Sequence, residues 1–164
     1  HPCRVSGHHH RGTTALTAEA HFTRASKGAG DQHMNRPPEP EPPKTASRVL
    51  IVEDDAFIGM LYKDVLAEMG HSVCAIEMSQ TGAVAAAAQL KPDLMIVDAA
   101  LREGSGVRAV QDILREGFVP HLFVSGDIAE VQTLMPAAIV VQKPFLEGDL
   151  ARAIQRALSV LPTP

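Results

Sequence analysis

Asp98 is the residue whose position most clearly suggests chemistry. It closes the four apolar residues Leu94-Met95-Ile96-Val97, a run without polar alternation. Such a run predicts a strand covered on both faces, as in the centre of a parallel sheet, although periodicity alone leaves a buried helix segment open. Ligands bind at the carboxyl edge of open parallel sheets, so a lone carboxylate there is a candidate nucleophile or metal ligand. The alternative is an aspartate that only caps the following turn.

Four further polar side chains follow other apolar runs in the same way: Glu53, Asp54, Ser125 and Lys143. Three carboxylates gathered at one edge would repel and raise one another's pKa unless a cation lay among them, and Mg²⁺ suits such a set. If the ion leaves positions open for a phosphoryl group, Asp98 becomes a nucleophile that forms an acyl phosphate. Ser125 could then donate to one phosphoryl oxygen, and Lys143 could neutralise another.

These residues require a scaffold of alternating strands and helices, and the apolar patterns predict one. Five such βα units in series require right-handed crossovers and predict an α/β fold, a doubly wound five-stranded parallel sheet with helices on both faces. The predicted strands are 48–52, 72–76, 93–98, 121–124 and 137–141. The predicted helices run from the cap Asp55 to Gly70, from the cap Ser79 to Leu90, from Val107 to Gly117, over a short stretch up to Met135, and along the stripe from Leu150 to Leu161.

Composition divides the chain into a tail, residues 1–47, and one domain, residues 48–161. The tail holds six of the eight histidines and five prolines between Arg36 and Lys44. Such a segment cannot repay its ordering entropy by burial, so we expect it to be disordered. The chain begins at His1 and its first methionine is Met34. We expect residues 1–33 to be translated upstream sequence or the edge of a fragment.

Charge and cysteine content exclude several classes of function. Beyond residue 47 the chain carries nine basic and fifteen acidic residues, and this negative balance does not favour binding to nucleic acid. The two cysteines, Cys3 and Cys74, fall in the tail and in a predicted strand, so we expect no structural disulfide and a reducing compartment. No apolar run is long enough to cross a bilayer. We therefore expect a cytoplasmic protein that does not bind membranes.

The strand-end motifs, taken in their order along the chain, resemble those of the receiver domain of two-component response regulators. The resemblance covers residues 48–161: an acidic pair in Ile-Val-Glu-Asp-Asp, an Asp after the third strand, a Ser after the fourth, and Lys-Pro-Phe after the fifth. It implies a flavodoxin-like (βα)5 receiver fold in which Asp98 accepts the phosphoryl group. It also implies that Asp54 binds Mg²⁺ directly, that Glu53 acts mainly through water, and that the Ala100 carbonyl is a further ligand.

The same resemblance assigns the remaining site residues and the partners. Ser125 would be the switch hydroxyl and Lys143 the cation that contacts the phosphate, while the Lys143-Pro144 bond would be cis. A sensor histidine kinase or phosphotransfer protein would supply the phosphoryl group, and a downstream protein would receive the signal. Because no output domain follows Leu161, we expect a stand-alone signalling receiver that is not an enzyme in the ordinary sense.

This sequence departs from the family pattern at three places. Leu101-Arg102 stands where Met-Pro is common, Val140 stands where an aromatic switch residue is usual, and the interval between Ser125 and Lys143 is about one helical turn short. With no aromatic to rotate, the readout must come from the segment 128–135. We expect this segment to be the most mobile part of the domain and to become ordered on phosphorylation.

Three other functions compete with this interpretation. A degenerate receiver would dock partners without being phosphorylated. A phosphatase with an aspartyl-phosphate intermediate would need a general acid two residues after the nucleophile, where Ala100 cannot serve. A flavodoxin-like cofactor binder would need a Gly-rich or Ser/Thr-rich phosphate loop after the first strand, where the chain has Glu53-Asp54-Asp55.

Overall fold

The computed structural model of the chain describes residues 46–161. Strands and helices alternate strictly along this part of the chain. The strands are β1 (Arg48–Val52), β2 (Ser72–Glu77), β3 (Leu94–Asp98), β4 (His121–Ser125) and β5 (Val140–Gln142). The helices are α1 (Ala56–Glu68), α2 (Gln80–Leu90), α3 (Gly106–Glu116), α4 (Ile128–Leu134) and α5 (Glu147–Ser159). None of these helices has the length and apolar character needed to span a membrane.

All strand pairs are parallel, and the strand order is β2-β1-β3-β4-β5. The predicted doubly wound sheet of the flavodoxin-like receiver type is therefore confirmed. Strand β3 occupies the centre, and each of its five residues is buried. This explains the unbroken apolar run before Asp98, because a central strand has helices on both faces and no solvent side for polar alternation.

Alternate residues of the central strands feed two separate apolar cores. Val49 and Ile51 pack with residues of α1 and α5 on one face of the sheet. Leu50 and Val52 pack with residues of α2 and α3 on the other. The period of two follows from the pleat, and each fully buried aliphatic side chain of this kind contributes about 1.5–3 kcal/mol to stability. The two cores fix the strands rigidly, and with them the carboxyl edge of the sheet.

The fifth strand begins later, and the last helix ends earlier, than predicted. We expected a strand over 137–141, but β5 begins at Val140, because the chain turns just before it: the Ala138 N–H donates to the Met135 carbonyl at 3.0 Å. Helix α5 ends at Ser159 and not at Leu161. Leu161 is 81% exposed, so its apolar side chain does not extend the buried stripe of the helix.

Most of the predicted disordered tail lies outside the described residues, as does Cys3. Ser47, its last residue, is buried, and its N–H donates to Nδ1 of His71 at 3.3 Å. Cys74 is a free thiol that donates to the Val49 carbonyl at 3.3 Å.

Candidate phosphoacceptor and metal site

The carboxyl edge of the sheet brings the predicted polar residues close together. Glu53 and Asp54 follow β1, while Asp98 and Ser125 are the last residues of the neighbouring strands β3 and β4. Lys143 directly follows β5. One carboxylate oxygen from each of the three acidic residues lies within 4.8 Å of the other two. The next residue in the chain after Asp54, Asp55, caps α1 as predicted: its Oδ1 accepts from the Phe57 N–H at 2.9 Å.

Asp98 is buried, and each of its two carboxylate oxygens has a partner. Oδ2 accepts a hydrogen bond from Nζ of Lys143 at 2.6 Å, and Oδ1 accepts from the Ala100 N–H at 2.9 Å. The second contact caps the turn after β3, so this carboxylate both caps the turn and faces the lysine. Lys143 is positioned by its N–H, which donates to the Ser125 carbonyl at 2.9 Å. The Lys143-Pro144 bond is cis, the isomer that the resemblance implies.

Glu53 is the most deeply buried of the three acids, at 1% exposure. Its Oε1 accepts from the Asp55 N–H at 3.0 Å, whereas its Oε2 has no hydrogen-bond partner within residues 46–161 and lies 4.0 Å from Nζ of Lys143. Burial, helped by the charge of Asp98 and opposed by the Asp55 N–H and by Lys143, raises the pKa of Glu53 to about 7. A buried acceptor of this kind is costly unless a donor or a cation satisfies it.

Asp54 is held from the loop between β3 and α3. Its Oδ2 accepts from the Arg102 N–H at 2.8 Å and lies 3.3 Å from Nε of the same arginine. The three acids thus form a set of possible oxygen ligands, and one of their buried oxygens has no hydrogen-bond partner in the described residues. Hard divalent cations such as Mg²⁺ prefer oxygen ligands. The residues therefore fit the metal that the sequence predicted, with the Ala100 carbonyl in the same loop.

In this structure the Ser125 hydroxyl is engaged in the turn that follows β4, and its switch role stays a prediction. The hydroxyl donates to the Asp127 carbonyl and accepts from the Asp127 N–H, both at 3.0 Å. Within the described residues, no hydrogen bond joins this hydroxyl to Asp98 or Lys143. Ser125 lies at the predicted carboxyl edge of the sheet. Its Oγ must break its hydrogen bonds to Asp127 before it can bind a phosphoryl oxygen.

Gln80 anchors the loop between β3 and α3, and sequence reasoning missed it. Its Oε1 accepts from the Ser105 N–H, and its Nε2 donates to Oδ2 of Asp112, both at 3.1 Å. Its own N–H donates to the Glu103 carbonyl at 3.2 Å. The loop that carries Ala100 is therefore tied to the start of α2. The only sequence signal was a polar residue just after the cap Ser79.

Tyr62 is a second residue near the site that sequence reasoning missed, because it treated this tyrosine only as part of the apolar stripe of α1. Its ring stacks on Phe145 with centroids 6.2 Å apart, and its buried hydroxyl has no hydrogen-bond partner in the described part of the chain. The pKa of this hydroxyl is raised, first by burial and then by the charges of Glu53 and Asp98. A buried hydroxyl of α1 therefore lies close enough to Glu53 and Asp98 for their charges to act on it.

Replacing Tyr62 by Phe should raise the free energy of unfolding of the metal-free protein by about 1 kcal/mol, because the change removes an unsatisfied buried hydroxyl and keeps the stacked ring. Urea denaturation of the two proteins in the presence of a chelator measures this difference. Tyr62→Leu serves as the control and should destabilise, since it also loses the contact with Phe145. A clear loss of stability in Tyr62→Phe would mean that the hydroxyl has a partner.

Comparison with known proteins agrees with the fold. The family model of the response regulator receiver domain matches residues 49–155. The chain is 35% identical over 115 residues to the chemotaxis protein CheY of Thermotoga maritima, a match that covers 66% of this chain and 95% of CheY. It is 32% identical over 117 residues to the phyllosphere-induced regulator PhyR of Methylorubrum extorquens, covering 69% of this chain but only 44% of PhyR. The solution structure of the Erythrobacter litoralis PhyR receiver domain superposes with a TM-score of 0.64 at 32% identity, over 73% of this chain and 95% of that domain.

Proposed function

Because this chain belongs to the response regulator receiver domain family, we propose that it accepts a phosphoryl group on Asp98 with the help of Mg²⁺ and signals through protein contacts. The observation that carries the proposal is the 2.6 Å contact between Asp98 and Lys143 within a cluster of three carboxylates. This arrangement combines a nucleophilic oxygen, a cation for the incoming charge and a set of metal ligands, as phosphoryl transfer requires.

Each residue has a separate task in this proposal. Asp54, Asp98 and the Ala100 carbonyl would hold Mg²⁺, with Glu53 acting through water. The ion would neutralise charge on the transferred group. An oxygen of Asp98 attacks phosphorus, and the bond between phosphorus and the donor breaks with its electron pair leaving on the donor. Lys143 then turns from the carboxylate to a phosphoryl oxygen, and Ser125 donates to another.

The proposed partners follow from membership of the receiver domain family. A sensor histidine kinase or phosphotransfer protein would donate the phosphoryl group, and a downstream protein would bind the phosphorylated form. The acidic balance of the domain does not favour nucleic acid as that partner. One observation favours the alternative of an unphosphorylated binding module: the Ser125 hydroxyl is already satisfied by Asp127.

Incubation with a small phosphodonor such as acetyl phosphate separates these two functions. With Mg²⁺ the protein should gain one phosphoryl group by intact mass, and with excess chelator it should gain none, because the clustered carboxylates repel the incoming anion without a cation. Labelling that survives chelation would remove Glu53 and Asp54 from their assigned role. A protein that takes no phosphoryl group under either condition would be the binding module.

The segment 128–135 remains the proposed readout. Helix α4 spans seven residues, of which only Val131 is buried, and Leu134 is 50% exposed. Few buried contacts give a low local opening free energy. Amide hydrogen exchange should therefore be fast in this segment and should slow when beryllofluoride occupies Asp98. High protection that does not change with the mimic would show that the signal leaves the site by another route.

A further inference from the structure

Arg102 makes a contact at the metal site that the proposed phosphoryl chemistry does not use. Its side chain is 77% exposed, yet Nε lies 3.3 Å from Oδ2 of Asp54, which is only 14% exposed. The same oxygen also accepts the Arg102 N–H at 2.8 Å. One residue therefore supplies both a fixed main-chain donor and a displaceable positive charge to a proposed Mg²⁺ ligand.

The three acids of the site differ in how their charge is balanced. Lys143 lies against Asp98, the Arg102 guanidinium lies against Asp54, and Oε2 of Glu53 has no hydrogen-bond partner in the described part of the chain. A divalent ion placed among these oxygens would lie close to the guanidinium. The two positive charges would then repel each other across the Asp54 carboxylate. Either the guanidinium leaves Asp54 or the ion binds less tightly.

We infer that Arg102 is a built-in competitor of Mg²⁺: its guanidinium neutralises Asp54 in the metal-free domain and must be displaced when the ion binds. The residue thereby sets the Mg²⁺ concentration at which the site loads. The main-chain N–H of residue 102 keeps Asp54 in place throughout, so positioning and competition are separable. This inference rests on the proposed Mg²⁺ site and concerns its regulation.

The test is a Mg²⁺ titration of the full chain followed by NMR and by calorimetry, without any phosphodonor. Arg102→Ala removes the guanidinium and retains the N–H, and it should bind Mg²⁺ about two- to fivefold more tightly, the size expected for an exposed ion pair. Arg102→Lys keeps the charge but loses Nε and should fall between. Arg152→Ala is the matched control, since Arg152 is an exposed arginine paired with Asp149 at 2.5 Å on α5. In the wild-type protein the Nε–H signal of Arg102 should shift with Mg²⁺, at the same midpoint as the Asp54 amide.

The possible outcomes separate this inference from the proposed function. Tighter binding in Arg102→Ala with an unchanged Arg152→Ala supports competition. Equal affinity in Arg102→Ala and wild type, weaker binding, or the same gain in both alanine variants overturns it and leaves the metal site intact. If none of the proteins binds Mg²⁺, both the metal site and the competition are wrong.

Discussion

Asp98→Asn should reduce phosphoryl labelling in the presence of Mg²⁺ to background. The amide has no free carboxylate oxygen to attack phosphorus, and it places an N–H donor or a neutral oxygen against Lys143 where the carboxylate now accepts at 2.6 Å. No other carboxylate is prepared for the reaction in the described residues: Glu53 is buried with a raised pKa, and Asp54 is held by Arg102. Intact mass after incubation with acetyl phosphate measures the loss.

The control is Asp64→Asn, which makes the same chemical change at an exposed position on α1 and should label like the wild type. Circular dichroism of both variants would show that the fold is retained. In the wild-type protein, hydroxylamine should remove the label, because an acyl phosphate is open to this nucleophile whereas a phosphoserine is not. A label that persists in Asp98→Asn, or one that resists hydroxylamine, would place the acceptor elsewhere.

The residues at the carboxyl edge of the sheet could be predicted from the sequence, because the apolar pattern of each strand follows from its burial. Uninterrupted apolar runs mark central parallel strands, and the carboxyl ends of such strands must meet at one edge. Asp98, Glu53 and Asp54 therefore followed from strand position alone. The family resemblance added the expected metal-ligand role of the Ala100 carbonyl, the water-mediated role of Glu53 and the cis bond before Pro144.

The rest of the site depends on loop conformation and side-chain rotamers, which pattern does not encode. The sequence marked Arg102 only as a departure from a common motif, and its contact with Asp54 exists because Gln80 and the N–H of residue 102 fix the loop. The turn that takes up the Ser125 hydroxyl is a local hydrogen bond that competes with the predicted role. The late start of β5 likewise reflects a turn at Pro136 and Ala137, in a stretch whose composition suits a strand.

Gly106→Ala should lower the free energy of unfolding by about 3 kcal/mol, because overpacking against backbone cannot be relieved by a rotamer change. Gly106 begins α3, and its N–H donates to the Ala99 carbonyl at 3.1 Å. A Cβ at this position would lie 1.9 Å from the carbonyl oxygen of Asp98 and 2.8 Å from Cγ1 of Val97. To make room, the start of α3 must move away from β3, and this shift would also move the acceptor. Urea denaturation should show the loss.

Gly148→Ala is the matched control, because it adds the same methyl group to a helix with room for it. The nearest atom to a Cβ there is Nη1 of Arg152 at 3.4 Å, the end of a flexible side chain. Alanine is the better helix former, so this variant should gain up to about 1 kcal/mol of stability, opposite in sign to Gly106→Ala. Labelling with acetyl phosphate and Mg²⁺ should remain normal in Gly148→Ala and fall in Gly106→Ala, even under conditions where both are folded. If Gly106→Ala matched the wild type in both stability and labelling, the close contact between α3 and the Asp98 backbone would not be what positions the acceptor.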